Sequence, residues 1–119
     1  MTSYPPSILT VEEFTLKAAS AVREGKKLCV FFKAPWCKRC SPCWEAISRL
    51  ENETNIIFGS VDTGDSTDLR DEFEITKLPT LMITGKDFVV HKLEACESHD
   101  AIAFIRHHCT PKLVLTEEF

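Results

Sequence analysis

Residues 34–43 read APWCKRCSPC, with Cys37, Cys40 and Cys43 each three positions from the next. Immediately upstream, LCVFFK (28–33) is a short apolar run rich in aromatic and β-branched residues, the pattern of a strand covered on both faces in a parallel sheet. It delivers the chain to Cys37, and a helix is expected from about Cys37 toward Leu50, with Trp44, Ile47 and Leu50 on one face. Three readings of the segment stand open: a redox pair with a third thiol beside it, three ligands of a metal site, or a helix that is merely rich in cysteine.

Outward from this segment the chain alternates between two periodicities. Residues 1–7, with Pro5 and Pro6, read as a loose arm leading to a short strand near Ile8 and Leu9. Thr10 and Glu13 have capping-box spacing, and Val11, Phe14, Ala18, Ala21 and Val22 recur at helical spacing up to Gly25. Downstream, IIFGSVD (56–62) reads as a strand, STDLRDEF as a helix capped by Ser66, and LPTLMIT (78–84) as another strand. A turn at TGKD joins this to FVVHKL (88–93) in a hairpin. Ser98 is expected to cap a last helix with Ile102, Phe104 and Ile105 inward, and Pro111 to end it. The order β α β α β α β β α specifies an α/β fold, a central mixed β-sheet flanked by helices. Residues 1–110 form the expected domain and 111–119 a C-terminal tail.

A chain of 119 residues, 44% hydrophobic, is the size of one domain and long enough to bury a core. Its 14 basic residues against 18 acidic ones exclude nucleic acid or an anionic membrane as the main partner. No basic segment followed by an apolar run opens the chain, and no stretch approaches the roughly 18 apolar residues that span a bilayer, so the cytoplasm is the expected compartment. Half of the six cysteines share one seven-residue window, which points to catalysis or metal binding rather than to a disulfide framework.

Two cysteines separated by two residues, where a strand hands over to a helix, have a physical logic. The first is expected at the helix N-terminus, where unpaired N–H groups and the macrodipole favour an anion. Cys37 is thereby the candidate thiolate nucleophile, and Cys40, one turn on, the thiol that resolves a mixed disulfide.

With APWCKRC after an apolar strand, and VDTGDSTDLRDEFEITKLPT with an aspartate after a strand and Pro79 opening the next, the sequence resembles the thioredoxin family over about residues 8–108. The resemblance implies a thioredoxin-like fold and a protein-disulfide oxidoreductase with Cys37 and Cys40 as catalytic pair. It implies that Trp36 is an apolar lip of the substrate groove, Pro79 a cis-proline beside the active-site sulfur, and Leu78 a source of backbone hydrogen bonds to an extended substrate. The implied partners are disulfide-containing proteins and an NADPH-dependent thioredoxin reductase or glutathione. A monomer without cofactor or metal is expected. Exchange through this dithiol, more oxidising than usual, is the leading reading. Disulfide isomerase-like activity and a metal-binding interaction module built on Cys37, Cys40 and Cys43 are the alternatives.

The departures from the family pattern carry information. Where the family usually has a buried carboxylate, six positions before the nucleophile, this chain has Phe31, which cannot accept a proton from Cys40. Lys38 and Arg39 replace the usual small, rigid pair. Their attraction for a thiolate is expected to depress the Cys37 pKa and make the disulfide more oxidising, as in the oxidase and isomerase members; the bland alternative is a solvated, screened pair. Pro42 either removes a helix hydrogen bond to the Lys38 carbonyl or sits first in a helix capped by Ser41. Cys43 is a buried filler, a third redox thiol or a metal ligand, for which Cys96, His99, His107 and His108 are the candidate co-ligands. Glu94 and Ala95 fall where the family usually has Gly-Ala lining the groove. Cys29, Cys96 and Cys109 read as ordinary thiols, and His107 and His108 as cations suited to a helix C-terminus.

Overall fold

A computed structural model of the protein describes residues 4–85 and 90–109. In chain order its elements are α1 (Val11–Arg23), β1 (Lys27–Lys33), α2 (Cys40–Ile47), α3 (Leu50–Glu53), β2 (Ile56–Asp62), α4 (Thr67–Glu72), β3 (Thr80–Thr84), β4 (Val90–Leu93) and α5 (Ser98–His108). The sheet order is β2-β1-β3-β4. β1 runs parallel to β2 and antiparallel to β3, and β3 pairs antiparallel with β4. This is the expected mixed α/β sheet, with a crossover first and a hairpin last.

β1 organises both layers of the core. Side chains of a strand alternate between faces, and here both faces are apolar. Leu28, Val30 and Phe32 join Phe14, Ala18 and Ala21 of α1 and Leu69 of α4 on one side. Cys29 and Phe31 face Cys43, Trp44 and Ile47 of α2 and Ala101 and Ile105 of α5 on the other. A residue shift of one would exchange the two sets, so the pairings Phe31↔Ser60 and Phe31↔Leu81 fix the floor beneath the cysteine segment.

Several local expectations are revised. The strand near Ile8 and Leu9 reduces to one bridge, Ser7 to Ser60, because Pro5 and Pro6 lack N–H donors and the chain turns into α1 at Thr10. Ile8 N–H still reaches the Ser60 carbonyl at 2.8 Å, and its side chain is buried. The Thr10 hydroxyl accepts from Glu13 N–H at 3.0 Å, while the Glu13 carboxylate accepts from Leu9 N–H at 2.9 Å, one residue upstream of the usual box. The single helix expected to Leu50 is two pieces, α2 and α3, yet Trp44, Ile47 and Leu50 all remain buried. Ser66 occupies the N-cap position of α4, but its hydroxyl donates to the Ile8 carbonyl instead of accepting from the helix. α5 starts one residue earlier than expected, with Glu97 at the N-cap and Ser98 already helical. Of its expected inward face Ile105 is fully buried and Ile102 and Phe104 partly so, and Ala101 completes it. The hairpin turn at 86–89 and the tail at 111–119 lie outside the described residues.

At the C-terminus of α5 the favourable cation is not a histidine. The Lys27 ammonium donates to the His108 carbonyl, so a lysine of β1 satisfies the helix end. The His108 ring stacks on His91 at 4.4 Å and meets His107 edge-on at 4.8 Å. Burial, then His91, His107 and Lys27, lower its pKa, which corrects the expectation of a dipole-stabilised cation there.

The sign follows from the neutral ring being the form that the fold prefers. The unfolded chain binds a proton more readily, so this contribution is intact above the unperturbed value of about 6.5 and is lost as pH falls through it. Urea unfolding between pH 7.5 and 5.5 is expected to lose on the order of a few tenths of a kcal/mol from this site, small because the ring is half-exposed and screened. His108→Gln should flatten that part of the profile.

Candidate active site

The site begins where β1 ends. Beyond Lys33 the chain makes a turn in which Cys37 N–H donates to the Ala34 carbonyl at 3.1 Å, and a second turn brings Cys40 N–H to the Cys37 carbonyl at 3.4 Å. Cys37 and Cys40 are joined as a disulfide with their Cα atoms 5.5 Å apart, within the ordinary range for such a bridge. Cys37 is half-buried and Cys40 fully buried, so the first sulfur is the one that an incoming group can reach.

The helix starts later than its apolar pattern implies. α2 begins at Cys40, and its first backbone bond runs from Cys43 N–H to the Arg39 carbonyl at 3.1 Å. Cys37 therefore precedes the helix instead of opening it, and Lys38 and Arg39 lie in the connecting turn before the first helical residue. Arg39 holds the N-cap position, so Ser41 is not the cap and Pro42 is the third helical residue. An N–H there would have no helical carbonyl to reach, so proline fits without a lost bond or a kink. Removing it should leave thiol activation alone: in Pro42→Ala, the pH profile of Cys37 alkylation is expected to superimpose on that of the wild type.

Beneath the bridge the environment is apolar. Phe31 is fully buried in an aromatic group, with ring centroids 5.8 Å from Trp44 and 6.0 Å from Tyr4, and Trp44 meets Phe58 edge-on at 4.8 Å. Tyr4 comes from the N-terminal arm, and the Lys33 ammonium sits 4.6 Å from its ring centre. Burial and the nearby Glu45 raise the Tyr4 pKa. The position that holds a carboxylate in similar proteins is thus closed by hydrocarbon on every side that the aromatic rings reach.

Two of the other expected site residues, Trp36 and Leu78, share a cleft. The Leu78–Pro79 peptide is cis. Trp36 is 73% exposed and shares with Leu78 a shallow cleft of about 210 Å³ whose other walls are Thr63, Arg70, Ile75 and Thr76. These four lay outside the sequence reading, since they come from the β2–α4 turn, α4 and the segment before Pro79, and carry no motif of their own. Asp62 is the last residue of β2, and its carboxylate accepts from Gly64 N–H at 2.9 Å and pairs with Lys33 at 3.7 Å. Glu94 pairs with Lys92 at 3.9 Å on the exposed hairpin.

Cys43 does not join the bridge. It is buried, 1% exposed, and lines one cleft together with Cys96, which is 2% exposed. Four thiols are free, Cys29, Cys43, Cys96 and Cys109, and all are buried. Burial holds Cys29 well above the ordinary thiol range and Cys109 at about 11. Among the described residues no group of three or more His, Cys, Asp or Glu is disposed to hold a metal ion. Cys37 and Cys40 are occupied by their mutual bond, and Cys43 remains a free thiol.

A strand handing over to a helix through a half-buried and a fully buried cysteine joined as a disulfide, in a chain that also carries a cis-proline, fits a thiol–disulfide oxidoreductase. The thioredoxin family model matches residues 6–107, and the chain belongs to the thioredoxin family. It is similar to an H-type thioredoxin of Fagopyrum esculentum, 25% identical over 100 residues that span 83% of this chain and 86% of the relative. It is also similar to a thioredoxin of Ictalurus punctatus, 31% identical over 77 residues that span 61% of this chain and 72% of the relative. Among solved structures, a Plasmodium falciparum thioredoxin superposes with a TM-score of 0.75 at 19% identity, covering 89% of this chain and 88% of that one, a likeness of fold. No helix among the described residues is long and apolar enough to cross a membrane.

Proposed function

We propose that the chain exchanges disulfides with proteins through the Cys37-Lys38-Arg39-Cys40 dithiol. The observation that carries this reading is the pairing of a reachable sulfur, Cys37, with a fully buried one, Cys40, directly after Trp36, which lines a cleft with Leu78. In the reduced protein the Cys37 thiolate attacks one sulfur of a substrate disulfide, the other substrate sulfur leaves as a thiolate, and a mixed disulfide remains. Cys40, as thiolate, then attacks Cys37, which forms the intramolecular bridge and releases the second substrate thiolate. Trp36 and Leu78 bind the substrate chain, with Pro79 holding the loop that presents Leu78.

The direction of exchange follows from what surrounds the pair. Lys38 and Arg39 are exposed and adjacent to Cys37, and they favour its thiolate. A stabilised thiolate stabilises the dithiol and makes the bridge a stronger oxidant. Phe31 offers Cys40 no base, which slows resolution and prolongs the mixed disulfide. Both features favour oxidation or isomerisation over rapid reduction, and isomerisation is the second reading. An NADPH-dependent thioredoxin reductase or glutathione would restore the dithiol of a monomer working in the cytoplasm, a compartment supported by four free thiols among six cysteines.

Cys37→Ser is expected to abolish turnover of insulin disulfides by dithiothreitol above background, and Cys40→Ser to accumulate a substrate adduct on Cys37 seen by intact mass. An unchanged rate in either variant would defeat the assignment. Replacing both cations, Lys38→Gln with Arg39→Gln, should raise the Cys37 pKa, by an amount limited by screening of exposed charges, and make the bridge less oxidising. The pH dependence of Cys37 alkylation and equilibration with glutathione check the two effects.

A further inference from the structure

Two buried thiols lie close to the bridge and have no part in the exchange just described. Cys43 is three residues beyond Cys40 on α2, so the two side chains are neighbours on one helical face. Cys96 arrives from the loop between β4 and α5. The preceding Ala95 is held at φ 50°, a left-handed conformation that disfavours a residue with a Cβ. This turn brings Cys96 against Pro79: its N–H reaches the Pro79 carbonyl at 3.2 Å and its thiol donates to the same oxygen at 3.6 Å. Cys43 lies near enough for each of the two thiols to shift the other's pKa. Two buried thiols from separate segments are thus neighbours. They share the wall of a cleft of about 230 Å³ with Arg39, Pro42, Glu97, Ser98 and His99.

We infer that Cys43 and Cys96 are a second redox-active dithiol, whose electrons pass to the Cys37–Cys40 disulfide by internal exchange. The inference rests on the oxidoreductase reading above. The interaction between the two thiols lowers the Cys96 pKa and raises that of Cys43, with burial opposing the first effect and adding to the second, so Cys96 is the member that ionises first. In the exchange, Cys43 sulfur attacks Cys40 sulfur as its proton moves to the Cys96 thiolate. The Cys37–Cys40 bond breaks, a Cys40–Cys43 bond forms, and Cys37 leaves as a thiolate. Cys96 then attacks Cys43, the Cys43–Cys96 disulfide forms, and Cys40 leaves with the proton that Cys96 gives up. One disulfide is exchanged for another, one proton and one negative charge are conserved, and no outside oxidant enters. A reduced chain therefore carries electrons for two substrate disulfides.

The test uses the full-length protein, reduced, freed of reductant without air and mixed with excess insulin. Acid quench, alkylation in denaturant and peptide mapping count the insulin disulfides opened per chain and locate the bridges formed. The expected result is about two per chain, with both Cys37–Cys40 and Cys43–Cys96 recovered, and about one per chain in Cys43→Ala and Cys96→Ala. About one per chain in the wild type, with Cys43 and Cys96 both alkylated, overturns the inference and leaves the oxidoreductase reading standing. So does a second bridge that pairs either residue with Cys29 or Cys109. If Cys37–Cys40 also fails to form, both readings fall. The wild-type map decides the matter even if a variant folds poorly.

Discussion

β1 has hydrogen-bonded partners along both edges and helices over both faces, and the rest of the structure hangs on that double burial. An interior strand of this kind must be apolar at successive positions, which is what LCVFF supplies. Because its alternate side chains enter two separate cores, a slip in register would mispack both at once. The strand end is consequently fixed in space, and the two turns that follow carry Cys37 and Cys40 on a rigid base.

The chemistry at that strand end is shaped by what lies on each side of it. Toward solvent are Trp36, Lys38 and Arg39, an apolar surface next to two cations. Toward the core are Phe31, Trp44 and Phe58, which present no proton acceptor. On the proposed reading, charge on Cys37 is favoured from outside, while charge on Cys40 receives no help from the aromatic floor. The late start of α2 places the helix end at Cys40 and farther from Cys37, which lessens the helix contribution to a thiolate at Cys37.

The same core layer holds five buried cysteines: Cys29, Cys40, Cys43, Cys96 and Cys109. Cysteine packs as a small hydrophobe, and Cys29 and Cys109 are accounted for in that way. Cys43 and Cys96 differ because they meet each other and a backbone carbonyl next to the active-site loop. Packing alone does not require a left-handed alanine to bring a sulfur there.

Much of the fold was legible in the sequence because periodicity reports directly on burial. The runs 28–33 and 56–62, the Thr10 cap and the proline-opened strand each encode a local preference strong enough to survive tertiary packing. The cysteine spacing and Trp36 likewise named the reactive pair, since attack and resolution need two sulfurs one turn apart. Helix ends were less legible: the apolar face of α2 says nothing about which backbone N–H first finds a carbonyl, and so Cys37, Ser41 and Pro42 were misplaced relative to the helix. The cleft residues Thr63, Arg70, Ile75 and Thr76 were invisible, because they are brought together by a sheet and share no local pattern. The sequence alone determined the alternating elements and the reactive dithiol, through side-chain periodicity and local spacing. Only the tertiary structure decided that Cys43 meets Cys96 and that Lys27 caps the helix ending at His108, because those contacts join segments whose separation along the chain carries no local signal.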